Sequence, residues 1–311
     1  MTVCHVISMD SIEQMGDITR LIFEEGTGYH IWSHIDGEQP IADIYLLHCF
    51  KNGKYIEKFY NYDRPYPGSK IISLIHSSAP CEASINSDMI VSITQAAYED
   101  FRETSTVLQD KDIPHRMIPG FIDIDRYADT KIDYDKPHFG KLSRLEVGKF
   151  HYYWGDLVRT VLANNEEVTN YIVTPENFDS GHDRVKALHG IEINDIEGKK
   201  RVMAEYSIYA DAHNDMHPFL ETFCIAMLEA MAAGQAICIL GTNQPAMVEV
   251  LGDSGLIAAN IFEFKDNLEK LIADPELRKE YGKKAKARAN YFNKEHGLMN
   301  WNLLFNEVTN A

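Results

Sequence analysis

The stretch from Ile225 to Leu240 constrains the fold more than any other. Ile225 to Ala233 is a run of strong helix formers that stops at Gly234, the residue a helix end favours because it accepts a left-handed backbone. Gly234 to Leu240 (GQAICIL) then reads as a short buried strand. The polar GTNQPAMVEV that follows reads as a loop running into Glu249. Helix, buried strand and loop make a Rossmann-like half, with the loop at the carboxyl end of the strand, where open α/β sheets bind ligands. The remaining chain repeats this alternation. Strands are predicted at Met1 to Met9, Tyr29 to Ser33, Ile41 to Phe50, Lys70 to His76, Ser87 to Ile93, Tyr171 to Thr174 and Ser207 to Ala212. Helices are predicted at Ile22 to Glu25, Gln95 to Thr104 behind a Thr94 cap, Asp156 to Asn164, Arg184 to Leu188, Gly198 to Glu205, Ile261 to Ala273 and Glu276 to Phe292. Strands separated by helices predict an α/β protein with parallel sheets.

A chain of 311 residues can bury a large core and predicts two domains. Its formal charge of -17 argues against affinity built on neutralising a phosphate backbone. The five cysteines are scattered with no CxxC, which predicts buried thiols in a reducing compartment. No basic, long apolar leader opens the sequence, and no run approaches the ~18 apolar residues that cross a bilayer. A cytoplasmic protein without a transmembrane segment is expected.

The candidate chemistry centres on Glu221 and Glu229, with seven residues between them. Glu221 falls at or just before the helix start and Glu229 about two turns inside. An anion could rest on the first helical N–H groups while one carboxylate meets a sugar and the other a ribose. The same spacing also suits an ordinary cap and a solvated polar stripe. His48 and His76 stand at the ends of two apolar strands, on the rim where ligands sit. Gly16 and Asp17 lie in the loop after the first strand. The pairs Asp123 with Asp125 and Asp133 with Asp135 fall in the acid-rich connector Ile122 to Pro137, where a solvated linker explains them without a metal. His213 and His217 (HNDMH) have a zinc-like spacing, but Pro218 and the missing central Glu argue for a loop. The cations around Lys283 read as a solvated helix face with some capacity for a polyanion.

Glu221, Glu229, AMAAG from Ala230, the strand, then Pro245 and Glu249 together resemble the donor-binding half of the retaining GT-B glycosyltransferases, in particular glycosyltransferase family 4. The chain departs from that pattern at Cys224, Gln235 and Ala236, and at Gly120 and Phe121 in an earlier turn. The resemblance implies two Rossmann-like domains facing across a cleft, with a C-terminal helix crossing back to the first. The expected boundaries are 1–128 for a shortened acceptor domain, 129–290 for the nucleotide-sugar domain, and 291–311 for the crossover helix. It implies a hexosyl or pentosyl transferase that moves a sugar from a nucleotide-diphosphate sugar, a UDP-sugar by preference, without a metal or other cofactor. The acceptor is an unidentified glycan, lipid-linked or small molecule. Arg144 and Lys149, five positions apart, then hold the diphosphate, Glu221 and His76 position the sugar, and Glu229 meets the ribose. Thr222, Phe223 and Cys224 are donor-binding by the same resemblance, and Gly16, Asp17 and His48 face the acceptor. The alternatives are a glycosyltransferase acting on a modified base in DNA, and a non-catalytic nucleotide-sugar-binding protein.

Overall fold

A computed structural model of the protein describes residues 1–7, 29–33, 40–49, 62–63, 65–75, 83–143, 149–173, 182–188, 191, 195–213 and 221–310. The chain divides into two compact units. The first comprises Met1–Ile122, Glu221–Phe223 and Phe292–Ala311, and the second Asp123–Leu220 and Cys224–Tyr291.

In the first unit, β1 (Val3–Ile7), β2 (Tyr29–Ser33), β3 (Ile44–Cys49), β4 (Lys70–Ile75), β5 (Met89–Ser92) and β6 (His115–Met117) form a parallel sheet in the order β2-β1-β3-β4-β5-β6. Val3 stands opposite both Tyr29 and Ile44. Strands buried on both faces read as continuous apolar runs, and β4 (KIISLI) is of that kind. α1 (Gln95–Thr104) follows β5, and its start is closed by Thr94, whose side chain accepts from the Ala97 N–H. α2 (Val107–Asp110) leads into β6. The last helix of the chain, which the resemblance assigned to a crossover, runs from Lys294 to Asn310 and buries Trp301, Leu304, Phe305 and Val308. That spacing places all four on one helix face.

The second unit has its own parallel sheet, in the order β12-β11-β10-β7-β8-β9. Its strands are β7 (Phe139–Leu142), β8 (Asn170–Val173), β9 (Val185–Leu188), β10 (Ile208–Asp211), β11 (Ala236–Leu240) and β12 (Leu256–Ala258). Between them come α3 (Trp154–Asn164), α4 (Ile196–Met203), α5 (Ile225–Ala233) and α6 (Pro245–Leu251), and after them α7 (Ile261–Ala273) and α8 (Pro275–Ala289); we label the C-terminal helix α9. α5 buries every residue from Met227 to Ala233, as a helix apolar on all sides must. Gly234 takes the left-handed conformation at φ 92° and returns its N–H to the carbonyls of Ala230 and Met231.

Two local expectations fail. Arg184 to Leu188 is not helical. Val185–Leu188 pairs with β8 as a half-buried edge strand, and Arg184 donates to the Leu162 and Asn165 carbonyls at the end of α3, each at 2.6 Å. The segment expected as a loop before Glu249 is largely α6. Pro245 starts it because a proline at the first helical position loses no hydrogen bond.

Candidate functional site

In an open parallel sheet, ligands gather where the strand order reverses, outside the carboxyl ends of the two strands concerned. In the second unit this point lies between β7 and β10, because β8 and β9 extend from β7 on one side while β11 and β12 extend from β10 on the other. Two charges stand there in strands that are otherwise apolar. Lys141, fully buried in β7, places its ammonium 2.5 Å from Asp211 Oδ1 at the end of β10. Its Nζ also donates to the Lys149 carbonyl and lies 4.8 Å from the Phe150 ring centroid. Asp211 is further bound by the Tyr209 hydroxyl, which donates to Oδ2 at 2.9 Å, and by His213 Nε2, 3.2 Å from Oδ1. Burial alone would raise the Asp211 carboxyl. Charge and hydrogen bonds from His213 and Lys141 outweigh it and hold the group well below the usual carboxylate range. Burial lowers His213 against the pull of Asp211, so Lys141 is the standing counter-charge near neutral pH.

The loop over this edge is anchored by the His151 N–H, which donates to the Ala212 carbonyl at 2.7 Å. It carries Lys149, whose charge also lowers His213 and Cys224. It ends in the exposed rings of Tyr152 and Tyr153, 5.1 Å apart and edge-on. Cys224 occupies the N-cap of α5, so the helix begins without the side-chain oxygen that usually accepts its first N–H groups. Its thiol is 3.9 Å from the Tyr209 hydroxyl, and burial raises it to about 11, which keeps it protonated. The result is a lysine and an oxygen-free helix start beside a charge-compensated core, a combination suited to holding an anion.

Glu221 and Thr222 are half-buried and Phe223 is buried in the first unit, where Thr94 Oγ1 donates to the Thr222 carbonyl at 3.0 Å. Glu229, expected at the ribose, lies on an inward face of α5. Its side chain is 1% exposed, and Oε1 accepts from Lys199 Nζ at 2.5 Å and Tyr127 Oη at 2.6 Å. His48 is buried at the order reversal of the first sheet, between β1 and β3, with Nε2 3.0 Å from His5 Nδ1 and the two rings stacked. Burial takes His5 down to about 3. Gly16, Asp17, His76, Arg144 and His217 lie outside the described residues. Asp123 pairs with Arg126 at 3.2 Å and Asp133 accepts from the Asp135 N–H, so both serve local turns. Among the described residues, no group of three or more His, Cys, Asp or Glu is placed to hold a metal ion.

Sequence reasoning passed over Lys141, Asp211, Lys199, Tyr127 and His5. For the first two a signal existed: a lone charge inside an apolar strand, FGKL and IYAD, has to find a partner or stay uncharged. Three cations of the basic helix are held by the main chain. Arg278, Lys286 and Arg288 donate to main-chain carbonyls of Leu271, Ile272, Tyr134, Ala128, Val250 and Glu249.

Residues 193–288 match the family described as Glycosyl transferases group 1. No curated protein matches the chain. Among solved structures, sucrose-phosphate synthase of Thermosynechococcus elongatus is similar at a TM-score of 0.70 and 12% identity, over 99% of this chain and 98% of that one. HepE of Anabaena in complex with UDP-glucose aligns at a TM-score of 0.68 and 12% identity, over 99% and 100%. A TarM mutant of S. aureus, solved with fondaparinux, alpha-GlcNAc-glycerol and UDP, aligns at a TM-score of 0.61 and 15% identity. That alignment covers 84% of this chain and 55% of TarM, so the protein spans about half the length of TarM. The fold is that of the GT-B glycosyltransferases.

Proposed function

We propose that the protein is a retaining glycosyltransferase that moves a sugar from a UDP-sugar to an acceptor hydroxyl, in the cytoplasm and without a metal. The observation that carries this reading is the cluster of Lys141, Lys149, Asp211 and His213 at the order reversal of the second sheet, beside the start of α5. α5 itself lies in the segment matching Glycosyl transferases group 1. The UDP-glucose held by HepE and the UDP held by TarM support the choice of nucleotide.

In this reading the second unit is the donor domain. Lys149, with Arg144, takes the diphosphate and stabilises its charge as the bond from the anomeric carbon to phosphate oxygen breaks. The acceptor oxygen bonds to that carbon on the same face, and its proton passes to the leaving phosphate oxygen. Glu221 and His76 position the sugar, and rate comes from positioning and electrostatics. Lys141 and Asp211 hold the floor of the site, and Glu229 meets the ribose, its Oε1 held by Lys199 and Tyr127. A role on DNA has little support, since the net charge is -17 and three cations of α8 are taken up by carbonyls.

Thermal melting against UDP, UDP-glucose and other nucleotides tests the reading. A ligand at a hundred times its Kd stabilises by ~2.7 kcal/mol. The expected result is a shift with uridine nucleotides that shrinks in Lys149→Ala. Glu221→Ala is expected to keep UDP binding while losing about a hundredfold or more in sugar transfer. No shift with any nucleotide, or full turnover in Glu221→Ala, sinks the assignment.

A further inference from the structure

The chain leaves the second unit at Glu221 and re-enters it at Cys224, and Glu221–Phe223 belong to the first unit. Among their contacts are a ring pair and a hydrogen bond. The Phe223 ring meets the Phe292 ring edge-on at 6.0 Å, and Thr94 Oγ1 donates to the Thr222 carbonyl at 3.0 Å. The same oxygen accepts from the Ala97 N–H at 3.1 Å and so closes the start of α1. A hydroxyl has one proton and two lone pairs. Donation to Thr222 fixes its rotor and leaves a lone pair for Ala97. Thr94 is 2% exposed, so water competes little for its hydroxyl, and removing that hydroxyl takes a hydrogen bond from the half-buried Thr222 carbonyl. The carbonyl held in this way belongs to the residue next to Glu221, and the holder sits at a strand-to-helix junction rather than on a loop.

We propose that Thr94 is a positioning residue for Glu221: its hydroxyl fixes the Thr222 carbonyl and, through it, the backbone that presents the Glu221 carboxylate to the transferred sugar. This rests on the role given to Glu221 above. A reacting group misplaced by about 1 Å can cost on the order of a hundredfold in rate, so one hydrogen bond at this point governs turnover.

The two jobs of the hydroxyl separate by substitution. Thr94→Ser keeps donor and cap. Thr94→Val keeps the shape and loses both without adding charge. Thr94→Asp keeps a favourable helix cap but has no proton to donate when ionised. The probe is UDP-glucose, read as glucose released when water takes the acceptor's place, with UDP affinity by calorimetry and the melting temperature alongside. Thr94→Val and Thr94→Asp are expected to lower kcat about tenfold or more with UDP affinity within about twofold of the parent, while Thr94→Ser stays within about twofold in both. The melting temperature should fall in Thr94→Val and hold in Thr94→Asp, so that the rate follows the lost donor and not the lost cap. An Asp variant with the parent kcat, or a Ser variant as slow as Val, overturns the proposal. A parent protein that binds no UDP overturns the reading of Glu221 itself, and that result needs no variant.

Discussion

Lys199 and Glu229 meet at 2.5 Å with side chains 7% and 1% exposed. An ion pair this deep owes its place to having both members. Removing one strands the other charge away from water at about 3–5 kcal/mol, whereas replacing both with apolar side chains of similar size is often neutral or better. Glu229→Ala should therefore lower stability by about 3–5 kcal/mol in urea unfolding, and Glu229→Met with Lys199→Met should recover most of the loss. The double variant also decides what Glu229 is for. If it folds and binds UDP like the parent, the carboxylate serves the interior. If it folds and loses UDP, the carboxylate meets the ribose, as the resemblance implies. Asp211 differs in degree, since Lys141, His213 and Tyr209 all converge on it.

At the scale of elements, the end of α5 and the middle of α8 touch without side chains between them. Tyr134 Oη donates to the Gly234 carbonyl at 2.6 Å, and a Cβ on Gly282 would meet that carbonyl and the Tyr134 ring at clash distance. Alanine is worth up to about 1 kcal/mol over glycine inside a helix, but a main-chain carbonyl cannot rotate aside. Gly282→Ala should cost about 1–3 kcal/mol as overpacking. Gly155→Ala in α3, where the nearest atom is Arg159 Nη1 at 3.8 Å, should instead stabilise by up to about 1 kcal/mol. Equal melting temperatures for the two variants would contradict the packing argument. α1, α5 and α7 begin and end where the sequence places them, because Thr94, Gly234 and the Asp274-Pro275 pair are local signals. β9 was read as helix because four half-buried residues on an edge carry little periodicity, and α6 was read as loop because its Gly, Asn and Pro outweigh one short helical turn pattern. Around the candidate site, the helix from Ile225 to its end at Gly234 was legible. The Lys141–Asp211 pair was not, since its members stand 70 residues apart and meet only through the order of the sheet.

At the scale of the whole molecule, two effects of acid oppose each other. The charge of -17 at pH 7 shrinks toward the isoelectric point near 5.2, which relieves self-repulsion. Burial works the other way, because it lowers His5 to about 3 and His115 to about 4, and lowers His138 and His213 as well. Above about pH 6.5 these groups are neutral in both folded and unfolded chains and cost nothing. Below it the unfolded chain binds protons that the folded chain refuses, so stability falls as pH drops from about 6.5 toward the folded values. His5 alone contributes about 1.4 kcal/mol per pH unit within that window. Asp211, held low, extends the loss below the usual carboxylate range. Repulsion between surface charges is screened beyond about 8 Å at physiological salt, whereas buried imidazoles are not, so burial should win. The melting temperature at 0.15 M salt is expected to fall steadily from pH 7 to pH 5. His5→Gln, which keeps a hydrogen-bonding partner for His48 without titrating, should flatten that fall. A melting temperature that rises on acidification would give the decision to charge repulsion, and an unchanged slope in His5→Gln would move the linkage to His115, His138 and His213.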